Sequence, residues 1–468
     1  MQTGLPARQT YAHAGFTGFI GVTRRDITPP VGIYNRNWGA ATHDVATGIH
    51  RPLECTALAL KHAAADPYPL VLISLDLGWW RTTEDEWDCR KAVLDALGVD
   101  ERRVLLHLTH THAGPSICRD DAGAPGGQFI GPYLDHVRAR CVEAALEAVK
   151  HARPGSLDWS YGTCTLAHNR DLEDPTGSAR RIVCGLNPSL PADDTLLIGR
   201  VTSSDGAPIA TLVNYAMHPV TLAWENTLIS PDFVGAMREV IEAHTSQAPC
   251  LFLQGASGEL APLEHYTGDV SVADKNGRTL GYAALSTLHA MLPAGQGLRY
   301  AGVVESGAPL AVWRRDALTY PGTLNARIIE TNLPLRPGLS SLAHIDAELA
   351  QATDGFMIER LRRRRRLMRA VGDGAVSRQR VWLWRMGDAV LIANPNEAYS
   401  ALQTQLRRRF PGLALAVMNI TNGSYAYLPE AEMYDRDQYQ VWQTPYARGC
   451  LEATIEACAE ALTQQDEG

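Results

Sequence analysis

Lysine is almost absent from this chain, with four residues (61, 91, 150 and 275) among 43 basic side chains. That skew reads as a coding bias, so the abundance of arginine carries little functional weight. Cysteine is sparse as well: nine residues, at 55, 89, 118, 141, 164, 184, 250, 450 and 458, odd in number and without a CxxC pair. This suggests neither a disulfide framework nor a thiolate zinc site, and predicts that most are small buried apolar residues. No apolar run reaches the roughly 18 residues needed to span a bilayer, and residues 1–19 lack a secretory pattern. The expectation is a soluble cytoplasmic protein with no membrane partner. Positive charge is not in excess: 51 acidic residues give a net charge of −8, which works against nucleic acid as the main partner. No repeat period appears. Apolar residues are not in short supply, at 45% against 20% charged over 468 residues, which excludes whole-chain disorder. The length admits two or three small domains or one large one.

Short apolar runs alternate with amphipathic segments, the signature of an α/β fold. Strands are predicted over Thr56–Lys61, Leu70–Leu75, Val104–Leu108, Ile209–Tyr215, Cys250–Leu253, Ala389–Ala393 and Leu413–Asn419. Helices are predicted over Thr82–Leu97, which opens on a capping hydroxyl followed by acids, and over Tyr133–His151, Asp232–His244, Val272–Ala290, Glu397–Phe410 and Gln443–Leu462. Hairpin turns are read at Ser203-Ser204-Asp205-Gly206 and Arg385-Met386-Gly387-Asp388. From Pro337 to Gly374 the pattern becomes a charged helical insert containing Arg362–Arg366. A solvated helical face is the preferred reading of that run, over a polyanion site.

Five apolar runs pass directly into chemically capable residues. Val104–Leu108 leads to Thr109-His110-Thr111-His112, Ile209–Tyr215 to Met217-His218-Pro219, and Cys250–Leu253 to Gln254-Gly255-Ala256-Ser257-Gly258-Glu259. Ala389–Ala393 leads to Asn394-Pro395-Asn396-Glu397, and Leu413–Asn419 to Thr421-Asn422-Gly423. In open α/β sheets, sites assemble outside the carboxyl ends of strands. His110 and His112, two apart, share one side of an extended segment. Together with His218 and Glu397 they offer a His/His/carboxylate set, the ligand type of catalytic zinc, which keeps an open position for water.

Several of these motifs, in order, resemble the N-terminal domain of the neutral, non-lysosomal ceramidases. They are Gly21-Val22-Thr23-Arg24-Arg25-Asp26-Ile27-Thr28-Pro29-Pro30, Thr109-His110-Thr111-His112-Ala113-Gly114-Pro115, Asn169-Arg170, His218, Gln254 to Glu259, and Pro395-Asn396-Glu397. The resemblance runs from Gly18 to about Ala461 and implies a single catalytic domain over 1–468, with mixed β-sheets, flanking helices and the helical insert at 337–374. It implies a zinc-dependent amide hydrolase with His110, His218, Glu397 and Tyr427 as ligands, Tyr425 being a competitor for the tyrosine position. His112 and Arg170 match positions on the substrate side.

The departures shape the chemistry. The family carries a serine in a Gly-Asp-Val-Ser-Pro segment, where this chain has Gly258-Glu259-Leu260-Ala261-Pro262. Ser257, four residues earlier, is a poor substitute. The chain leaves no room for the family's C-terminal β-sandwich and shows no secretion signal, so sphingolipid at a membrane surface is a poor substrate expectation. In place of the serine, zinc lowers the pKa of a bound water from 15.7 to about 7. The expected division of labour has that water attack an amide or related ester or lactone. Tyr427 steadies the oxyanion, His112 carries the proton, Glu259 orients water or substrate, and Arg170 anchors an anionic group of a small soluble substrate. Two other classes compete: a metal-dependent lyase or glycoside-cleaving enzyme acting on an acidic carbohydrate, and a non-catalytic polyanion binder using Arg362–Arg366.

Overall fold

The computed structural model describes residues 9–177, 181–372 and 374–466. Eight strands form the larger sheet: β1 (Ala14–Asp26), β2 (Glu54–Lys61), β3 (Leu70–Leu75), β4 (Val104–Leu108), β5 (Arg153–Thr163), β6 (Thr195–Ser203), β7 (Pro208–Tyr215) and β8 (Cys250–Gln254). Their spatial order is β8-β7-β6-β5-β1-β2-β3-β4. Only the outer pairs, β3–β4 and β7–β8, are parallel. The smaller sheet has β9 (Leu324–Pro334), β10 (Val376–Met386), β11 (Ala389–Ala393) and β12 (Ala414–Met418) in sequence order, with β11–β12 parallel.

Both faces of each sheet are covered, which explains the near-continuous apolar runs of the central strands. Leu105, Leu212, Leu251 and Leu253 of the large sheet meet Trp382, Trp384, Leu391 and Met418 of the small one in a shared core. Their neighbours along the chain point the other way. Val104 and Leu106 pack under α1 (Thr83–Leu97) and α2 (Ile130–Lys150), and Val213 and Phe252 under α3 (Phe233–His244) and α4 (Val270–Ala290). Val390, Ile392, Leu415 and Val417 face the remaining helices across the outer side of the small sheet. The result is four layers: helices, sheet, sheet, helices. Eight of the nine cysteines are buried. No helix among the described residues is long and apolar enough to cross a membrane.

Two of these helices, α5 (Leu342–Gln351) and α6 (Gly355–Val371), connect β9 to β10, whose eleven residues pair from Leu324↔Met386 to Pro334↔Val376. The segment is therefore an excursion from a long hairpin. Further on, the predicted helix at Glu397 begins only at α7 (Ala401–Arg409), because the Glu397 N–H bonds Ala426 O and the two residues Glu397–Ala398 pair with Tyr427–Leu428. The predicted Gln443–Leu462 helix is split: Thr444-Pro445 ends the short helix Tyr439–Gln443, since the residue before proline avoids the helical region, and α8 (Cys450–Asp466) follows. The long strands β1 and β5 and the exposed Gln296–Glu305/Pro309–Ala317 ribbon were absent from the sequence prediction, and of β6 only the end at the Ser203–Gly206 hairpin turn was read.

Side chains beyond the strand ends stitch the sheets together. Asn422 uses its amide as a strand substitute: Oδ1 accepts from Leu106 N at 2.7 Å and Nδ2 donates to Val104 O at 3.1 Å. His107, buried at the same seam, pairs with Thr421 Oγ1 and accepts from Gln254 N at 2.9 Å each. Burial lowers its pKa to about 3.

Candidate metal centre

Parallel pairing places the carboxyl ends of β3 and β4, β7 and β8, and β11 and β12 side by side, and the candidate residues gather there. After β4 the chain turns sharply. Thr109 and His110 donate backbone N–H to Leu75 and Leu77, and His110 adopts φ +71°. The histidines at 110 and 112 therefore converge through a turn, not through strand alternation, with ring centroids 4.9 Å apart. The close approach requires Gly78, where a β-carbon would lie 2.9 Å from Thr111 O. After β7, His218 donates its backbone N–H to Leu260 O at 3.0 Å.

Each imidazole is oriented by a carbonyl. His110 Nδ1 bonds Gly78 O at 2.9 Å and His218 Nδ1 bonds Ser257 O at 2.8 Å. Because a carbonyl only accepts, the Nδ1 atoms carry the protons and both Nε2 lone pairs point inward. The two Nε2 atoms lie 3.1 Å apart, and Glu397 Oε2 is 3.1 Å from that of His218 and 3.5 Å from that of His110. Two buried imidazole acceptors and a half-buried carboxylate at this spacing repel one another unless a positive charge sits among them. The spacing also matches the roughly 3.3 Å ligand-to-ligand distance of a tetrahedral site with bonds of about 2.0–2.1 Å. Burial, then the Arg170 charge, lowers the pKa of His218 to about 3. Burial pushes the Glu397 carboxyl up, but His110 and His218 outweigh it and hold it well below the usual range. Neutral imidazole and ionised carboxylate are the forms that bind metal, so the residues present fit a divalent cation.

Register brings in the tyrosine. Glu397 pairs directly with Tyr427, whose hydroxyl hydrogen-bonds Glu397 and accepts from Arg170 Nη2 at 3.3 Å. Its ring runs nearly parallel to that of His218, 13° apart in plane. Tyr425 packs against the core beneath the small sheet, where Glu86 and Arg90 act on its hydroxyl. Of the two tyrosines, Tyr427 is the one beside the cluster. Its phenol is held well above the ordinary value by burial and by Glu397.

His112 stands behind His110 and His218, and the ligating atoms of these three histidines all lie within 4.8 Å of one another. Trp38 and Trp79 flank its ring at 5.2 and 4.9 Å. Its Nε2 is buried with no hydrogen-bond partner among the described residues, as is the indole nitrogen of Trp38. Burial depresses the His112 pKa well below 6.5.

The remaining candidates take protein partners. Arg170 is buried and directs Nε and Nη2 to Gly258 O, at 3.2 and 2.6 Å, as well as to Tyr427. Glu259 faces the start of α7: its carboxylate oxygens accept the Ser400 N–H at 2.9 and 3.0 Å and its hydroxyl too. Burial raises the Glu259 pKa to about 8. Ser257 Oγ accepts from Gln254 Nε2 at 2.6 Å. Ala261 is buried on a short strand opposite His168 and offers no hydroxyl. In the arginine run, Arg365 pairs with Asp346 and Arg366 with Asp121, so part of it is engaged within the protein.

Sequence reasoning passed over the aromatic wall. Trp79 follows Asp76-Leu77-Gly78 at the end of β3, a sixth strand end of the same kind as the five examined, and that position was the available signal. Tyr439, whose ring meets that of Tyr427 at 5.9 Å, carried none.

Residues 19–255 match the family model for the N-terminal part of neutral/alkaline non-lysosomal ceramidases. Two solved structures are similar over 95% of this chain at 17% sequence identity with a TM-score of 0.66: a ceramidase complexed with C2, of which 74% is covered, and the neutral ceramidase from Pseudomonas aeruginosa, of which 73% is covered. At that identity the likeness establishes the fold. A search of curated proteins finds no match.

Proposed function

The chain belongs to the neutral/alkaline non-lysosomal ceramidase family, and from that premise we propose that it is a zinc-dependent hydrolase cleaving an amide, or a related ester or lactone, of a small soluble substrate. The observation that carries the reading is the convergence of the His110 and His218 Nε2 atoms on Glu397 Oε2, with both Nδ1 protons held by carbonyls.

His110, His218, Glu397 and Tyr427 would hold the cation, with His112 near enough to join them. Zinc bound there supplies Lewis acidity and brings the pKa of a coordinated water down to about 7, which removes the need for the serine that Ala261 replaces. The chain's own residues do the rest. His112, with Nε2 unpartnered and its ring clamped between indoles, takes the proton of the attacking water and returns it to the leaving group. Tyr427 donates its hydroxyl to the developing oxyanion, and Arg170 fixes that hydroxyl. Arg170 also places a fixed positive charge beside the reacting carbonyl. An anionic group on the substrate would gain from that charge without displacing the bonds to Gly258. Glu259 holds the Gly258 segment against α7, so it orients the substrate wall through the backbone.

Elemental analysis of the purified protein, followed by a screen of short N-acyl compounds with and without chelator, tests the proposal. The expected result is about one zinc per chain and turnover that chelation abolishes and zinc restores. Protein free of metal, or hydrolysis indifferent to chelator, overturns it.

A further inference from the structure

One buried carboxylate fastens the helical excursion to the candidate centre. Asp121 receives Arg366 Nη2 from α6 on Oδ1 at 2.6 Å, and on Oδ2 it receives Arg81 Nη1 and Ser116 Oγ, both at 2.8 Å. All three charged side chains are close to fully excluded from water, at 8%, 9% and 10% exposure for Arg366, Asp121 and Arg81. The chain of bonds continues inward. Arg81 Nη2 donates to Asn37 Oδ1 at 2.8 Å, and Asn37 Nδ2 donates to the carbonyls of His112 at 3.2 Å and Gly114 at 2.8 Å. The Arg81 guanidinium also lies 5.5 Å from the centre of the Trp79 ring that supports His112.

A buried ion network of this kind is weak evidence for stability, because desolvation offsets the attraction. Its strength is directional: each bond fixes the orientation of the next, and catalytic groups must be held within about 0.5 Å to keep their rate. Both ends of this network are informative. One is a helix outside the two-sheet core, and the other is the backbone of the histidine with the unpartnered nitrogen.

We propose that Asp121 and Arg366 are positioning residues for His112, so that the α5–α6 excursion is a working part of the site. The inference rests on the reading of His112 as the proton carrier. The helix packs Leu361, Met368 and Val371 into the core outside the small sheet and presents Arg366 to Asp121, and through Arg81 and Asn37 that contact sets the turn that aims the imidazole at the cluster.

The test compares Arg366→Met and Asp121→Asn with the conservative Arg366→Lys, and with Arg369→Met, a change on the same helix as Arg366 that removes a solvent-side pair with Glu84 of α1. Metal content, kcat and KM on an N-acyl compound that the wild type cleaves, and amide hydrogen exchange of residues 110–116 are measured on the zinc-loaded protein. In the first two variants, metal content should stay at the wild-type level, KM should move less than about threefold, kcat should fall about tenfold or more, and exchange at 110–116 should quicken about tenfold. Arg366→Lys should recover most of both losses, and Arg369→Met should change nothing. Unaltered exchange at 110–116, or unaltered kcat, in a folded Arg366→Met protein overturns the proposal. If the wild type cleaves none of the compounds, the hydrolase reading fails, while the exchange data still decide whether the network holds the turn. Should the buried-charge variants fail to fold, Asn37→Ala breaks the last link without stranding a charge, and it must show the same quickened exchange and lowered kcat.

Discussion

A histidine at φ +71° sits in a region that costs a side-chain-bearing residue about 1–2 kcal/mol. Here the strain sets the His110 imidazole on Gly78 O and its Nε2 beside that of His218. Substitution separates the roles these atoms share. His218→Ala and Glu397→Ala should each leave the purified protein without bound metal, measured by elemental analysis. His112→Ala should keep the metal and lose turnover by about 10²–10⁴-fold. Metal loss in the last variant would instead make His112 a ligand, which its distance to the other imidazoles allows. Tyr427→Phe, which removes a proposed ligand that also steadies the oxyanion, should weaken metal binding without emptying the site at excess zinc, while kcat of the zinc-loaded protein drops about 10²-fold. Most of these residues were legible from their position after apolar runs. Tyr427 was not, because its place depends on pairing with Glu397, a contact no local pattern announces, and only family likeness pointed to it.

Strands buried on two faces write themselves into the sequence as unbroken apolar runs, and β3, β4 and β11 fall where that signal placed them. By contrast β1, with three glycines and a Thr-Arg-Arg-Asp end, presents mixed chemistry because its far half leaves the core to meet Glu54, Glu242, Glu143 and Glu147. Polar residues at strand ends also divide in a way the sequence does not reveal: His110 and His218 face the centre, whereas Asn422 and His107 join the sheets. Asn422→Ala, which strands the Leu106 N–H and the Val104 carbonyl, should cost about 3 kcal/mol, read from the urea midpoint at constant m. Glu259, at the head of α7, gives a pH signature. Its folded pKa near 8 exceeds the 4.5 of an ordinary glutamate, so the stability it confers is complete below about pH 4.5 and lost as pH rises through 8. The melting temperature should therefore fall over that interval in the wild type and fall less in Glu259→Gln.

At the scale of the molecule, the donors come from both sheets: His110 and His218 follow strands of the larger, Glu397 and Tyr427 those of the smaller. A cation held by these residues, as proposed, would link binding to the joining of the sheets, and stability should grow with free metal as RT ln(1 + [M]/Kd), about 2.7 kcal/mol at a hundredfold excess over Kd. A melting temperature indifferent to added zinc would contradict this. Mixed sheets with flanking helices and the order of the motifs could be anticipated; the stacking into four layers could not. The α6 anchoring could not, because Asp121 gives no sign in the sequence that two distant arginines converge on it.

The seam has a consequence for how the molecule comes apart. If the proposed cation clasps the imidazole and carboxylate partners on opposite banks, its removal brings back the repulsion between them. The earliest opening of the apoprotein should then be a parting of the two sheets along the His107–Thr421 line, each sheet still holding its own helices.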